Sequence, residues 1–209
     1  MGVRYIKSQD IEAADFDVIV VGSGFAGCFC AHDLAKAGCR VLVLERRDRI
    51  GGSLYDTPDP RLSEKLAHAN IEVAVNTKAE DLFELVYANE SEDAPLASIK
   101  IHGVNFRGDF VYTDQIEVLF QERFGTLPYG VAGVAYRMET QIIPMDVHDE
   151  QRVANKNSSL YERYSSLVGE MSNFHLLGKL AEYRYYSTDE IIQRAHEQAA
   201  ELLDMGGEQ

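Results

Sequence analysis

Four residues near the start of the chain have the types and spacing to hold a phosphorylated ligand: Gly22, Gly24, Gly27 and Glu45. In Gly22-Ser23-Gly24-Phe25-Ala26-Gly27 the first glycine allows a tight turn, the second lets backbone approach a pyrophosphate, and the third lets a helix pack close to a strand. Phe25 and Ala26 open that helix. The unpaired N–H groups and positive dipole end of its first turn attract phosphate. Glu45 follows ~20 residues after the turn, where a carboxylate accepts ribose hydroxyls. An acid there disfavours a 2′-phosphate, so NADP is not expected. Alone, a GxGxxG is a weak signal. Here strand, turn, helix, strand and acid come in order, and a dinucleotide site is the reading.

These residues need a frame. Val18-Ile19-Val20-Val21 is too uniformly apolar for a half-exposed strand and predicts one buried on both faces of a parallel sheet. A helix is expected over Ala26 to Ala37, stopped by Gly38, and a second buried strand over Val41 to Leu44. Ser53 to Arg61, with two prolines, reads as a linker. Further on, the pattern predicts a short helix over Leu62 to Ala69, a strand over Ile71 to Val75 and a helix over Ala79 to Tyr87. Short β-rich runs at Ser98–His102, Val104–Arg107 and Phe110–Thr113 suggest a small antiparallel meander whose last run returns to the main sheet. A short helix over Asp114 to Phe124, a strand over Ala135 to Ile143, a polar loop over Val147 to Asn157 and a helix over Ser158 to Glu170 follow. A short strand at His175–Leu177, a loop at Tyr183–Ser187 and a helix over Thr188 to Leu203, capped by Ser187 or Thr188, complete the chain. The expected class is α/β: a Rossmann-like dinucleotide-binding domain with a central parallel sheet and a small antiparallel meander. Residues 1–15 form an N-terminal arm and 16–205 a single domain. Its parts are a βαβ unit (16–52), a short linker (53–70), a stretch completing the sheet (71–145) and a C-terminal segment (146–205).

Composition bounds the partners. The chain has 209 residues, 45% hydrophobic, and a net charge of −14. An acidic surface repels nucleic acid and anionic lipid. The arginines concentrated between Arg40 and Arg49 suit a local phosphate site. Cys28, Cys30 and Cys39 are odd in number and lack a repeated spacing, which argues for a reducing compartment and against a disulfide framework. Cys28-Phe29-Cys30 faces two directions on a helix, and His148, His175 and His196 lack ligand spacing, so no metal is expected. The first residues lack a signal-peptide core, and no run reaches the ~18 apolar residues that span a bilayer. The expectation is a cytoplasmic protein with no membrane partner.

Beyond these patterns, the chain resembles the UDP-galactopyranose mutases, FAD enzymes that interconvert the six- and five-membered ring forms of UDP-galactose. Four pieces carry the resemblance: DVIVVGSGFAGCFCAHDLAKAGCRVLVLERRDRIGG; IEVAVNT; VYTDQIEVLFQERFGTLPY with YRMET; and NKNSSLYERYSSL through HLLGKLAEYRYYSTDEIIQRA. The Arg46-Arg47-Asp48-Arg49-Ile50-Gly51-Gly52 tail resembles the second phosphate-side loop of FAD-binding flavoproteins. Departures are as plain. Ser53 to Asn70 replaces a helical substrate domain, Lys179 stands for an arginine, Ser187-Thr188 for Asp-Met, and Asp114 for a glycine.

The resemblance implies FAD as cofactor. Gly22, Gly24, Gly27 and Glu45 would hold its pyrophosphate and ribose. Arg46, Arg47, Gly51 and Gly52 would lie along it, and Val73 would meet the adenine through backbone. Gly178, Lys179 and the backbone at Thr188 and Asp189 would meet the ribityl chain and pyrimidine edge. Arg137 and Tyr185 match positions that bind a substrate diphosphate. On the residues alone, Tyr183, Tyr185 and Tyr186 equally form a half-buried aromatic stripe, and Arg137 equally pairs with Glu139. No catalytic side chain is assigned. Three functions remain open: a mutase-like enzyme acting on a sugar nucleotide through flavin N5, a small flavin oxidoreductase, and a non-catalytic FAD-binding accessory module. In each, a second subunit or partner would cover the flavin.

Overall fold

Because Val18–Val21 (β1) is apolar at every position, it can be buried on both faces, and the fold uses both. The computed structural model describes residues 2–51, 59–133, 140–144 and 151–206. β1 lies inside a five-stranded, all-parallel sheet. Its neighbours are Val41–Leu44 (β2) on one side and Asp109–Tyr112 (β7) on the other. Ile71–Ala74 (β3) adds beyond β2, and Phe174–Leu176 (β10) adds beyond β7. The alternating side chains feed two cores. Val18, Val20, Val41, Val43, Ile71, Val73 and Val111 face three helices: Phe25–Lys36 (α1), Pro60–Leu66 (α2) and Thr188–Gly206 (α6). Ile19, Val21, Leu42, Leu44, Phe110, Tyr112 and Phe174 face the opposite layer. Fully burying each aliphatic side chain contributes about 1.5–3 kcal/mol.

That opposite layer is a three-stranded antiparallel sheet of Phe83–Tyr87 (β4), Leu96–Ile101 (β5) and Val104–Asn105 (β6). The expected meander is therefore present with different membership. The run from Ala79 forms only one helical turn, Ala79–Leu82 (α3), before becoming β4. Phe83, Leu85 and Tyr87 all reach the same core, and that period-2 contact outweighs the helical reading. The last run joins the main sheet as β7. A short helix follows at Ile116–Leu119 (α4), and Tyr129–Gly133 (β8) pairs with Thr140–Pro144 (β9). The long helix Gln151–Val168 (α5) begins seven residues earlier than its apolar pattern, within the stretch expected to be a loop. On the sheet side of α5, Tyr164 and Leu167 are fully buried.

The N-terminal arm extends the sheet. Tyr5 bridges to Val73 in parallel, with Ile6 N–H donating to Val73 O at 3.0 Å and Val73 N–H to Arg4 O at 2.9 Å. Arg4 also donates to Ala69 O at 2.6 Å and pairs with Glu72. At the other end of the chain, Ser187 and Glu190 form a reciprocal cap. Ser187 N–H donates to the Glu190 carboxylate at 2.7 Å, and Glu190 N–H to Ser187 Oγ at 3.3 Å.

Candidate dinucleotide site

The sheet order reverses at β1: β2 and β3 leave on one side, β7 and β10 on the other. Such a switch point opens a crevice beyond the carboxyl ends of the strands, where ligands bind in α/β sheets. Gly22 sits there, with a backbone φ of +102° that side chains rarely adopt. A Cβ at Gly22 would also stand 2.2 Å from Thr113 Oγ1, at the tip of β7. Gly27 makes the second close approach. A Cβ there would lie 2.0 Å from the Gly22 carbonyl oxygen. The two glycines thus let α1 run back across the tip of β1.

A cavity of about 650 Å³ occupies this crevice. That volume is within the range of small-molecule and cofactor sites, roughly 300–1,000 Å³. Gly24 is the N-cap of α1 and offers no side-chain cap, and Gly24, Phe25 and Ala26 line the cavity. A twelve-residue helix therefore points an uncapped N-terminus into an open space, as a phosphate seat requires.

Glu45 anchors the second wall. It is 3% exposed. One carboxylate oxygen accepts from Ser23 N–H at 3.2 Å and from the Ser23 hydroxyl; the other accepts from Arg47 N–H at 2.9 Å. The Ser23 hydroxyl in turn accepts from Gly51 N–H at 3.2 Å. One buried serine thus joins the glycine elbow, the acid and the glycine loop. A carboxylate has about four acceptor positions, so capacity remains for a ribose hydroxyl. The buried Cys28 thiol donates to Ser23 O at 3.1 Å, and desolvation, with the nearby Glu45 charge, pushes its pKa well up, so it stays protonated.

The C-terminal segment closes a third side. A Cβ on Gly178 would meet the Ala26 side chain at 3.2 Å. Gly178, Lys179, Leu180, Thr188 and Ile191 line the same cavity as the glycine elbow. Burial lowers the Lys179 pKa, partly offset by the Glu190 carboxylate. The Lys179 ammonium lies 5.4 Å from the centre of the Tyr185 ring.

Of the residues expected from sequence, Gly22, Gly24, Phe25, Ala26, Glu45, Arg46, Arg47, Gly51, Gly178, Lys179 and Thr188 are brought together around this cavity. Gly27 shapes it from behind. Val73 is elsewhere: it is fully buried in the sheet, with its N–H and C=O bonded to the N-terminal arm. Instead, Thr77 to Glu80, after the tip of β3, border that end of the cavity. Asp189 lies in the first turn of α6, outside the lining, and Tyr185 is 51% exposed at the surface beside Lys179. Of the other two tyrosines, Tyr186 is buried and Tyr183 stacks on Tyr161 at 5.6 Å, as an aromatic stripe would. Gly52 and Arg137 fall outside the described residues. Sequence reasoning missed Ser23, Thr77 to Glu80, Thr113 to Gln115, Asp59 and Arg61. The rule that parallel strand tips line the crevice could have found the second and third groups. Around the mouth charges alternate, with Arg46 paired to Asp114 at 3.2 Å. Among the described residues no group of three His, Cys, Asp or Glu could hold a metal, and no helix is long and apolar enough to cross a membrane.

Fold and crevice together define a Rossmann-like dinucleotide-binding domain. Residues 20–85 match the family described as NAD(P)-binding Rossmann-like domain. Over 45 residues the chain is 47% identical to a probable UDP-galactopyranose mutase of Klebsiella pneumoniae, a stretch of 22% of this chain and 12% of that protein. It is 46% identical over 46 residues to the UDP-galactopyranose mutase of Mycoplasma genitalium, covering 22% of this chain and 11% of the relative. A putative flavin-containing monoamine oxidase of Mycobacterium tuberculosis is 58% identical over 36 residues, 17% of this chain and 8% of the relative. The matched stretch thus spans about a tenth of each relative's length. Among solved structures, a probable FAD-dependent monooxygenase, pqsL of Pseudomonas aeruginosa, superposes with a TM-score of 0.48 at 14% identity, covering 90% of this chain and 85% of that one. The GidA-related protein of Thermus thermophilus gives 0.46 at 14% identity, covering 91% and 99%. Likenesses at that level carry no argument about activity.

Proposed function

We propose that this chain binds FAD and is a flavoprotein module of the kind found in UDP-galactopyranose mutases. The observation that carries the reading is the meeting of the Gly22–Gly27 elbow, Glu45 and the Gly178–Thr188 segment around one cavity. The α1 N-terminus takes the pyrophosphate and Glu45 the adenosine ribose. Thr77 to Glu80 border the adenine, while Gly178, Lys179 and Thr188 meet the ribityl and pyrimidine portion. Bound flavin would supply the redox or N5 chemistry; the chain's own residues seat and orient it.

On the mutase reading, the substrate is a sugar nucleotide, and Tyr185 with Lys179 lies on its approach. A second subunit or partner covers the flavin ring. The oxidoreductase reading keeps specific support, because a flavin-containing monoamine oxidase shares 58% identity over 36 residues, a higher identity than the mutase shows over its 45. A non-catalytic accessory role is the third outcome. Cys28, Cys30 and Cys39 are all free thiols, which fits a reducing, cytoplasmic location.

The purified protein, saturated with FAD and dialysed, should be yellow with flavin absorbance. A colourless protein that takes up no FAD refutes the cofactor assignment. Dithionite-reduced holoprotein incubated with UDP-galactofuranose should yield UDP-galactopyranose. Unchanged substrate removes the mutase reading and leaves the oxidoreductase and accessory ones. Flavin reduction by NAD(P)H then separates those two.

A further inference from the structure

Arg61 stands on a segment that the sequence marks only as the end of a linker. Its position gives it work at the cofactor site. Asp59 is the N-cap of α2 and accepts from Arg61 N–H at 3.0 Å. The same carboxylate accepts from the Arg61 guanidinium, with Nε 3.0 Å from each oxygen. This pairing folds the side chain back towards α1. There the guanidinium carbon lies 5.3 Å from the centre of the Phe25 ring. Phe25 is the first residue of α1, so the guanidinium stands beside the uncapped helix N-terminus.

Arg61 and Asp59 both line the cavity. Nε and Nη2 are turned to Asp59, and Nη1 has no partner among the described residues. Asp59, with a smaller contribution from Asp189, raises the guanidinium pKa and keeps it charged. At the same helix end, Gly178 passes so near Ala26 that an added Cβ would stand 3.2 Å from its side chain, and Lys179 lines the cavity beside it. Two cations from separate elements thus flank one phosphate-attracting helix terminus. A planar guanidinium with one edge open suits a phosphate oxygen better than a lysine does.

We propose that Arg61 is a diphosphate ligand: its Nη1 edge binds the pyrophosphate of the dinucleotide seated on α1, and Asp59 positions it. This deepens the FAD-site reading and rests on it. The occupant it recognises is a nucleoside diphosphate, and the adenine and ribose contacts are made elsewhere.

The test compares ADP with adenosine, which lacks the diphosphate, by calorimetry and by NMR titration of wild type, Arg61→Ala, Arg61→Lys and Arg163→Ala. Arg163 is half-buried, pairs with Glu92 and Asp93, packs over Phe124 and lies outside the cavity lining, so its loss makes the same change in net charge away from the site. Arg61→Ala should weaken ADP and FAD by on the order of 10- to 100-fold. Adenosine affinity should be unchanged, with Arg61→Lys intermediate and Arg163→Ala like wild type. Arg61→Ala binding ADP like wild type overturns the proposal. So does an equal loss for ADP and adenosine, which would assign Arg61 to holding the fold, or an equal ADP loss in Arg163→Ala, which would assign the effect to net charge. Wild type binding neither ADP nor FAD would instead overturn the dinucleotide site itself.

Discussion

Gly27→Ala measures how tightly α1 must approach the tip of β1. The added methyl would sit 2.0 Å from the Gly22 carbonyl oxygen, 3.1 Å from its carbon and 3.2 Å from Val20 Cγ1. A relaxed carbon–oxygen contact needs at least about 3 Å, so the helix must retreat by roughly 1 Å or the turn must open. The obstacle is backbone, which cannot rotate away as a side chain would. Overpacking of this kind costs about 1–3 kcal/mol, and the upper end applies here. For a chain of this size each kcal/mol moves the thermal midpoint by about 2–4 °C, so a fall of roughly 6–12 °C is expected. The retreat also carries the N–H groups at Phe25 and Ala26 away from the phosphates. Losing one charge-assisted hydrogen bond weakens FAD by on the order of 10-fold or more. Thermal unfolding of the apoprotein gives the first quantity, and fluorescence-quench titration with FAD the second. A variant with the wild-type midpoint and wild-type FAD affinity would refute the close-packing argument.

Other substitutions probe the surroundings. Ser23→Ala removes the hydroxyl between Glu45 and Gly51 N–H; with Ser23 fully buried, a loss of about 1–3 kcal/mol in urea unfolding is expected. A change of only a few tenths would show that the hydroxyl bridges nothing. Tyr164→Phe deletes a buried hydroxyl that accepts from Phe124 N–H at 3.0 Å and donates to Gly125 O at 2.7 Å, outside the cavity lining. It should cost about 1–2 kcal/mol of stability and leave FAD affinity unchanged, as unfolding and binding titrations on one preparation would show. Asp17 accepts the Arg40 guanidinium and backbone N–H, and those bonds hold its carboxyl below the usual range. Its contribution is therefore present above the unfolded carboxyl pKa of about 4 and disappears as pH falls through the lower folded value. The stability gap between wild type and Asp17→Asn should be constant from neutrality to about pH 4 and shrink below it; a gap that widens in acid would contradict the pairing.

The elbow, α1, β2 and Glu45 were legible because each depends on local rules: uniform apolarity, glycine spacing, and an acid at a strand tip. The capping box of α6 was equally local. The helix expected over Ala79–Tyr87 was not, since AEDLFELVY satisfies both periods and only the pairing with Leu96–Ile101 decides it. The start of α5 was hidden because Gln151 to Asn157 carries almost no apolar signal of its own. Val73 stands outside the cavity lining for a long-range reason. The arm occupies its backbone, and nothing in IEVAVNT announces that partner. Arg61 was missed because a proline-bounded stretch reads as connection, whereas its value comes from which helix end it reaches.

That arm has a consequence for the flank of the sheet. Without Arg4 to Ile6, β3 would be the flank of the sheet and would display the open N–H and C=O of Val73 to solvent. Bare flanks of this sort recruit strands from other molecules. Docked there and fastened through Arg4 to Glu72, the Arg4–Ile6 segment stands as a guard rail along β3, occupying the Val73 groups that a foreign strand would need.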